Sequence, residues 1–117
     1  MRDSYFVLYL SILHYIRLKV SLQTLPPTER LVLELLLDGP DFGLNLVAKS
    51  DGALKRGTVY VTLGRMERKG FITSEQEPQA PGAIGLPRRI YRVTPLGKRA
   101  LRAWATLLRA LAPEQGA

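Results

Sequence analysis

An apolar run with almost no charge stands near the start of the chain, from residue 4 to residue 16. At helical spacing its side chains form one hydrophobic stripe, made by Phe6, Leu10, Leu13, Ile16 and Val20. Asp3 or Ser4 can cap this helix, which we expect to end near Leu22. A helix that crosses a bilayer needs roughly 20 apolar residues. We therefore predict that residues 1–24 form a dimerisation or core helix, with a membrane anchor as the alternative.

Two further helical patterns follow, each ended by turn residues. The second helix begins at Pro27 or Thr28 and ends at the Gly39-Pro40 pair. We expect its apolar face to contain Leu31, Val32, Leu35 and Leu36. The third helix is short, and Asp41 is its expected N-cap. Its expected inward side chains are Leu44, Val47 and Ala48.

The fourth helix is predicted from about Arg56 to Lys69, after a turn at residues 50–52. On a helical wheel its apolar seam consists of Val59, Leu63 and Met66. The opposite face carries Gly57, Val61, Gly64, Arg65 and Arg68, flanked by Thr58 and Tyr60. One face therefore suits a protein core, and the other suits a polar partner.

After Gly70 the pattern changes to that of strands. Residues 71–74 and 89–93 are rich in β-branched and aromatic side chains, and a loop rich in Pro and Gly separates them. Thr94 and Pro95 then begin a last helix that ends near Ala112. The order of elements predicts a mostly α (α+β) fold, a winged helix-turn-helix over residues 25–94. The last helix and tail occupy residues 95–117.

Charge is divided unevenly along the chain. Residues 1–54 carry five basic and six acidic side chains, whereas residues 55–117 carry twelve and four. Such a division is typical of a surface that binds a polyanion, although a merely solvated basic surface is the alternative.

We expect the basic half to bind double-stranded DNA. Arginine reads guanine edges in the major groove, and basic residues beside a hairpin loop suit the adjacent minor groove or its phosphates. The candidate contacts are Lys55, Arg56, Thr58, Tyr60, Val61, Arg65, Arg88 and Arg89. For Tyr60 the alternative is packing against the hairpin. The hairpin made by the two predicted strands and their loop is the wing. Because side chains of a strand alternate between its two sides, we expect about half of the wing arginines to be only solvated.

The residues of the chain give little support to a catalytic function. The chain has no cysteine and one histidine, His14, which lies in the apolar run. We find no metal-ligand spacing, phosphate-binding loop or nucleophile motif. We therefore expect no enzyme activity, no catalytic residues, no metal and no cofactor.

Two stretches together resemble the PadR-like transcriptional regulators, and the similarity runs through most of residues 29–101. They are the sequence from Arg56 to Tyr60, RGTVY, and the sequence from Pro87 to Gly97, PRRIYRVTPLG. The resemblance implies a cytoplasmic, nucleoid-associated homodimer that binds a palindromic operator, usually as a repressor. It implies that the last helix and tail, residues 95–117, serve dimerisation together with the first helix. It also implies an apolar space between dimer helices that takes a small lipophilic or phenolic effector, with Trp104 and Tyr9 as the candidate contacts.

Two features depart from the family pattern. The last helix is short, and the apolar first helix is longer than usual, which leaves effector binding open. A tryptophan that simply packs a dimer interface is the alternative for Trp104. A winged helix that contacts proteins and no DNA is the alternative function.

Overall fold

Residues 5–13 and 25–113 are described by the computed structural model, and they contain five helices and one three-stranded antiparallel sheet. Residues 5–13 are helical and form α1. The helices that follow are α2 (Pro27–Leu36), α3 (Gly43–Lys49), α4 (Val59–Arg68) and α5 (Pro95–Leu111). The strands are β1 (Asp41–Phe42), β2 (Ile72–Gln76) and β3 (Arg89–Val93). This arrangement confirms the predicted winged helix-turn-helix.

Several predictions for the first helix concern residues outside the described ranges. They are the caps Asp3 and Ser4, the stripe positions Ile16 and Val20, the end near Leu22, and His14. Within α1, every residue from 5 to 13 is exposed in the single chain. None of the helices in the described ranges is long and apolar enough to span a membrane.

The sheet has the order β1-β3-β2, and both pairings are antiparallel. Strand β3 lies in the middle because Tyr91 pairs with Asp41 on one side and with Ser74 on the other. Strand β1 corrects the sequence prediction, which made Asp41 the cap of α3. The backbone at Asp41 and Phe42 is held by β3, and α3 therefore begins only at Gly43.

One core joins the helices to the sheet. Its fully buried side chains come from α2, α3, α4 and the start of β2, and include Leu33, Leu36, Leu46, Leu63, Met66, Phe71 and Ile72. The predicted inward face of α3 was wrong in part: Leu44 and Ala48 are exposed and Val47 is half-buried. Leu46 is the buried residue of that helix. The predicted seam of α4 is confirmed, since Val59, Leu63 and Met66 are all buried.

The start of α5 is locked onto the loop before β2. As predicted, Thr94 caps the helix: its Oγ1 accepts from the Gly97 amide at 3.0 Å and donates to the Gly70 carbonyl at 2.6 Å. A Cβ on Gly97 would overlap the Phe71 carbonyl oxygen and lie 3.0 Å from Cγ2 of Val93. Glycine is therefore required where α5 crosses this loop. Leu101 and Trp104, farther along α5, pack on the core.

A buried ion pair holds the carboxyl end of α4 in place. Nζ of Lys69, which follows the last residue of α4, donates to both carboxylate oxygens of Glu29 at 2.8 and 3.0 Å. Glu29 lies in the first turn of α2 and is fully buried. The pair ties the carboxyl end of α4 to the amino end of α2.

Candidate nucleic-acid interface

The turn between α3 and α4 sets the direction of α4. Ser50 ends α3, and its Oγ donates to the Val47 carbonyl and accepts from the Leu54 amide at 2.9 Å. Asp51 and Gly52 follow with φ of 52° and 89°, which reverses the chain. Leu54 is buried and anchors the end of the turn in the core. Helix α4 therefore meets α3 as the second helix of a helix-turn-helix.

Helix α4 begins three residues later than the sequence predicts. The amides of Thr58 and Val59 both bond to the Lys55 carbonyl, at 3.1 and 2.9 Å, so a separate turn precedes the helix. Thr58 is the N-cap residue, but its side chain makes no capping hydrogen bond. Lys55 and Arg56 thus lie in an exposed turn ahead of the helix, and the Thr58 hydroxyl is exposed with them.

The outward face of α4 carries the expected side chains. Val61 is 60% exposed, and Arg65 and Arg68 are exposed beside it. Gly64 lies among them, with the Arg68 guanidinium as the nearest group to a Cβ placed there, at 3.6 Å. This face therefore presents two guanidinium groups around a shallow, apolar centre.

Tyr60 packs on the start of α3 rather than projecting freely. A Cβ on Gly43 would lie 2.8 Å from Cε1 and 3.1 Å from Cζ of the Tyr60 ring. The ring is nevertheless about half exposed. Burial raises the pKa of Tyr91, and the nearby Glu67 and Tyr60 raise it further, against the opposing charge of Arg89. Tyr60 thus stands where α3, α4 and β3 meet.

The wing arginines are all engaged by neighbouring side chains. Arg88 donates from Nε and Nη2 to the Glu77 carboxylate at 3.0 and 3.2 Å, and its guanidinium lies 4.0 Å from the centre of the Phe42 ring. Arg92 pairs with Glu75 at 3.4 Å. Glu75 lies on β2, Glu77 directly follows β2 and Phe42 lies on β1, and the sequence prediction did not include these contacts.

Arg89 connects the wing to α4. Its Nε donates to Oγ of Ser74 at 3.2 Å, and that hydroxyl donates to Oε1 of Glu67 on α4 at 2.8 Å. The chain of hydrogen bonds fixes the base of the hairpin relative to α4. Only the register of β2 against β3 brings Ser74 within reach, so the sequence alone gave no indication of it.

The basic residues around α4 and those of the wing differ in whether they form ion pairs. Within the described part of the chain, four cations around α4 form no ion pair: Lys55, Arg56, Arg65 and Arg68. In the wing, by contrast, Arg88 and Arg92 each face a carboxylate. The positive potential of the interface is therefore carried mainly by α4 and the turn before it.

Strand β1 is held to α3 by one carboxylate. Burial raises the pKa of Asp41, but hydrogen bonds from the Lys49 and Asn45 side chains and the Phe42 amide outweigh it, so the pKa lies below its usual value. Nζ of Lys49 donates to Oδ2 at 2.5 Å and Nδ2 of Asn45 to Oδ1 at 2.9 Å. Asp41 thus positions Phe42, on which Arg88 stacks.

The two candidate effector contacts lie in different settings. Tyr9 on α1 is 60% exposed in the single chain. Trp104 is half-buried, with the Arg30 guanidinium 5.3 Å from its ring centre. Its indole Nε1 is buried and has no hydrogen-bond partner among the described residues. In the same ranges, no three His, Cys, Asp or Glu side chains come together as a metal site.

Comparison with known proteins agrees with this geometry. The chain is 43% identical over 58 residues to the transcriptional regulator Rv3488 of Mycobacterium tuberculosis, a match that covers 50% of each protein. The chain thus spans about half the length of that curated relative. The crystal structure of a PadR family transcription regulator from Clostridium difficile has a TM-score of 0.63 and 27% identity, over 74% of this chain and 91% of that one.

A second solved structure is Bacillus subtilis PadR in complex with operator DNA. Its TM-score is 0.63 at 22% identity, over 80% of this chain and 54% of that chain, which shows a shared fold. The family model for the "Transcriptional regulator PadR-like family" matches residues 32–103, more than half of the chain. The matched residues run from α2 through the wing into α5. The protein therefore belongs to the PadR-like family of transcriptional regulators.

Proposed function

We propose that the protein is a homodimeric repressor that binds a palindromic operator in double-stranded DNA, in the cytoplasm and on the nucleoid. In this proposal α4 enters the major groove and the wing lies over the adjacent minor groove. The DNA contacts are the eight residues expected from the sequence: Lys55, Arg56, Thr58, Tyr60, Val61, Arg65, Arg88 and Arg89. Bacillus subtilis PadR, which shares this fold and was solved in complex with operator DNA, supports operator binding.

The observation that carries the proposal is the group of unpaired cations around α4. Arg65 and Arg68 project from the exposed face, and Lys55 and Arg56 precede the helix. A cation without a carboxylate partner gives up no ion pair when it binds a phosphate or a guanine. Each phosphate neutralised in this way releases counterions from the DNA, which makes the affinity depend steeply on salt.

Selection of duplexes from a random pool, followed by titration of a labelled selected duplex over a salt series, tests DNA binding. We expect enrichment of a two-fold symmetric sequence and a linear fall of log K with log salt concentration. Lys55→Ala, which removes one of the exposed proposed contacts, should reduce that slope by about one. Lys98→Ala, which removes an exposed cation on α5, should leave it unchanged and is the matched control.

A folded chain that enriches no duplex at low salt contradicts the proposal. That outcome would favour the alternative, a winged helix that contacts proteins only.

Dimerisation is supported by apolar side chains that the single chain leaves uncovered. In α1 they include Tyr5, Phe6, Val7 and Leu8, each more than half exposed. On α5 they are Leu107, Leu108 and Leu111, at 46%, 48% and 72% exposed. Burial of such surface between two copies is favourable by about 25 cal/mol for each Å². Sedimentation at micromolar concentration should give a dimer, and a monomer would contradict this part.

Effector binding is supported by the unpartnered indole of Trp104. A buried N–H without an acceptor is unfavourable, and a phenolic or carbonyl oxygen of a ligand could accept from it. Trp104 is the single tryptophan of the chain, so its fluorescence reports on this position alone. Titration with flat phenolic compounds should quench it and weaken DNA binding together. Quenching without an effect on DNA binding would place the compound at a site that does not regulate.

A further inference from the structure

The tip of the wing is apolar, uncharged and uncovered. From Pro78 to Pro87 the loop carries no charged side chain. Ile84 is fully exposed and Leu86 is 92% exposed, which makes them the two most exposed large hydrophobic side chains in the described part of the chain. Gly85 separates them. Two neighbouring exposed aliphatic side chains form an apolar patch, and apolar patches on a protein surface mark interaction sites.

The loop that presents them is ordered by its own hydrogen bonds. The Ala83 amide donates to the Ala80 carbonyl at 3.0 Å, across a turn with Gly82 at φ 84°. Nε2 of Gln79 donates to the Gly85 carbonyl at 3.0 Å. The two aliphatic side chains are therefore held out at the end of the hairpin before any partner binds.

The charges around the tip indicate what it meets. Arg88 and Arg89 lie at the base of the loop, and Arg89 is linked through Ser74 to Glu67 of α4. The base of the wing thus carries two guanidinium groups, of which Arg88 is paired with Glu77, and is joined to the cationic face of α4, whereas the tip has no charged group. Guanidinium groups at the base of the loop, with an uncharged aliphatic tip beyond them, fit the phosphates and the floor of a DNA groove better than a charged protein surface.

We propose that Ile84 and Leu86 form an apolar wedge that enters the minor groove of the operator and selects A·T pairs there. This rests on the proposed function. Apolar side chains inserted between base steps are a known way to hold the minor groove open and bend the duplex. The selection follows from desolvation: a G·C pair adds the guanine N2 amino donor to the groove floor, and an aliphatic side chain would leave that donor unpaired.

The test is a titration of selected duplexes with the full chain and the variant Ile84→Ser/Leu86→Ser. Because the side chains are exposed, the variant should keep the circular dichroism of the wild type. We expect about tenfold weaker binding at every salt concentration, since aliphatic surface is lost, and an unchanged salt slope, since no phosphate contact is lost. Leu37→Ser, which removes an exposed leucine at the end of α2, is the control and should bind as wild type.

Base substitutions beneath the wing complete the test. The wild type should lose affinity when A·T pairs there become G·C, but tolerate inosine·C pairs, which lack the N2 amino group. The double variant should bind the duplexes with A·T, G·C and inosine·C pairs with the same affinity. Equal affinity of variant and wild type overturns the inference, and so does a loss that reduces the salt slope. A variant that fails to dimerise in sedimentation also overturns it, in favour of a second copy as the partner. A wild type that binds no duplex overturns the proposed function itself.

Discussion

The ion pair between Glu29 and Lys69 gives the sharpest prediction about stability. Replacement of Lys69 by methionine keeps an unbranched side chain of similar length but removes the ammonium group. The Glu29 carboxylate, which is fully buried, would then lose the donor that contacts both of its oxygens. The contact of the Lys69 ammonium group with the Phe71 ring, 5.9 Å from its centre, would be lost as well.

The structure places this pair in the class of buried ion pairs, because the Lys69 side chain is only 14% exposed and that of Glu29 is 0% exposed. Removal of one partner from such a pair costs about 3–5 kcal/mol, since the other charge stays buried without compensation. A domain of this size has a total stability of about 5–15 kcal/mol. Lys69→Met should therefore lower the melting temperature by roughly 10 °C or more.

Removal of both charges should behave differently. In Glu29→Leu/Lys69→Met no charge remains to be desolvated, and apolar replacement of a buried pair is often neutral or stabilising. We expect the double variant to recover most of the stability that the single variant loses. The measurement is urea unfolding followed by circular dichroism, at one protein concentration because dimerisation would shift the apparent stability. A Lys69→Met cost below about 1 kcal/mol, or a double variant no more stable than the single one, would refute the reasoning.

Three further predictions concern the start of α5, strand β1, and the proposed DNA contacts of α4 and the wing. Gly97→Ala should cost about 3 kcal/mol or more in urea unfolding because its Cβ meets the Phe71 carbonyl, whereas Gly57→Ala, with open space at that position, should cost far less. Asp41→Asn should destabilise by about 1–2 kcal/mol at neutral pH. Because the folded-state pKa of Asp41 lies below 3.8, that difference should persist above this value and vanish as the pH falls below it; a difference independent of pH would contradict the assignment. Arg65→Ala should weaken binding of the selected duplex more than that of random DNA, whereas Arg88→Ala should weaken both similarly; equal discrimination by the two variants in competition titrations would remove the proposed difference.

The parts of the fold that the sequence predicted rest on local physics. The spacing of Val59, Leu63 and Met66 determines which face of α4 is buried, whatever it packs against. The Thr94-Pro95 pair determines the start of α5, because a side-chain cap and a fixed φ act within one turn. These predictions needed no knowledge of distant residues.

The parts that were missed depend on contacts between distant residues. Seven residues are too few for their spacing to show which face of α3 is buried, and Leu46 is buried because it lies in the core that α2, α4 and the sheet also form. Strand β1 has two residues and exists only because β3 pairs with it. The partner of Glu29 lies 40 residues away. Exact pairing of charged side chains requires the three-dimensional fold, which periodicity does not provide.

The carboxylates that face the wing arginines change how the interface should work. An arginine already paired with a carboxylate must weaken that bond to bind a phosphate, so its net contribution to affinity is smaller than that of a free arginine. Glu77 also holds Arg88 against Phe42, in a fixed position at the base of the loop. The acidic partners thus lower the affinity that the wing offers to any DNA, while they keep its arginines in place. In this arrangement the cations around α4 supply most of the electrostatic attraction, and the wing arginines add a smaller share to selected and random DNA alike, which Arg88→Ala tests.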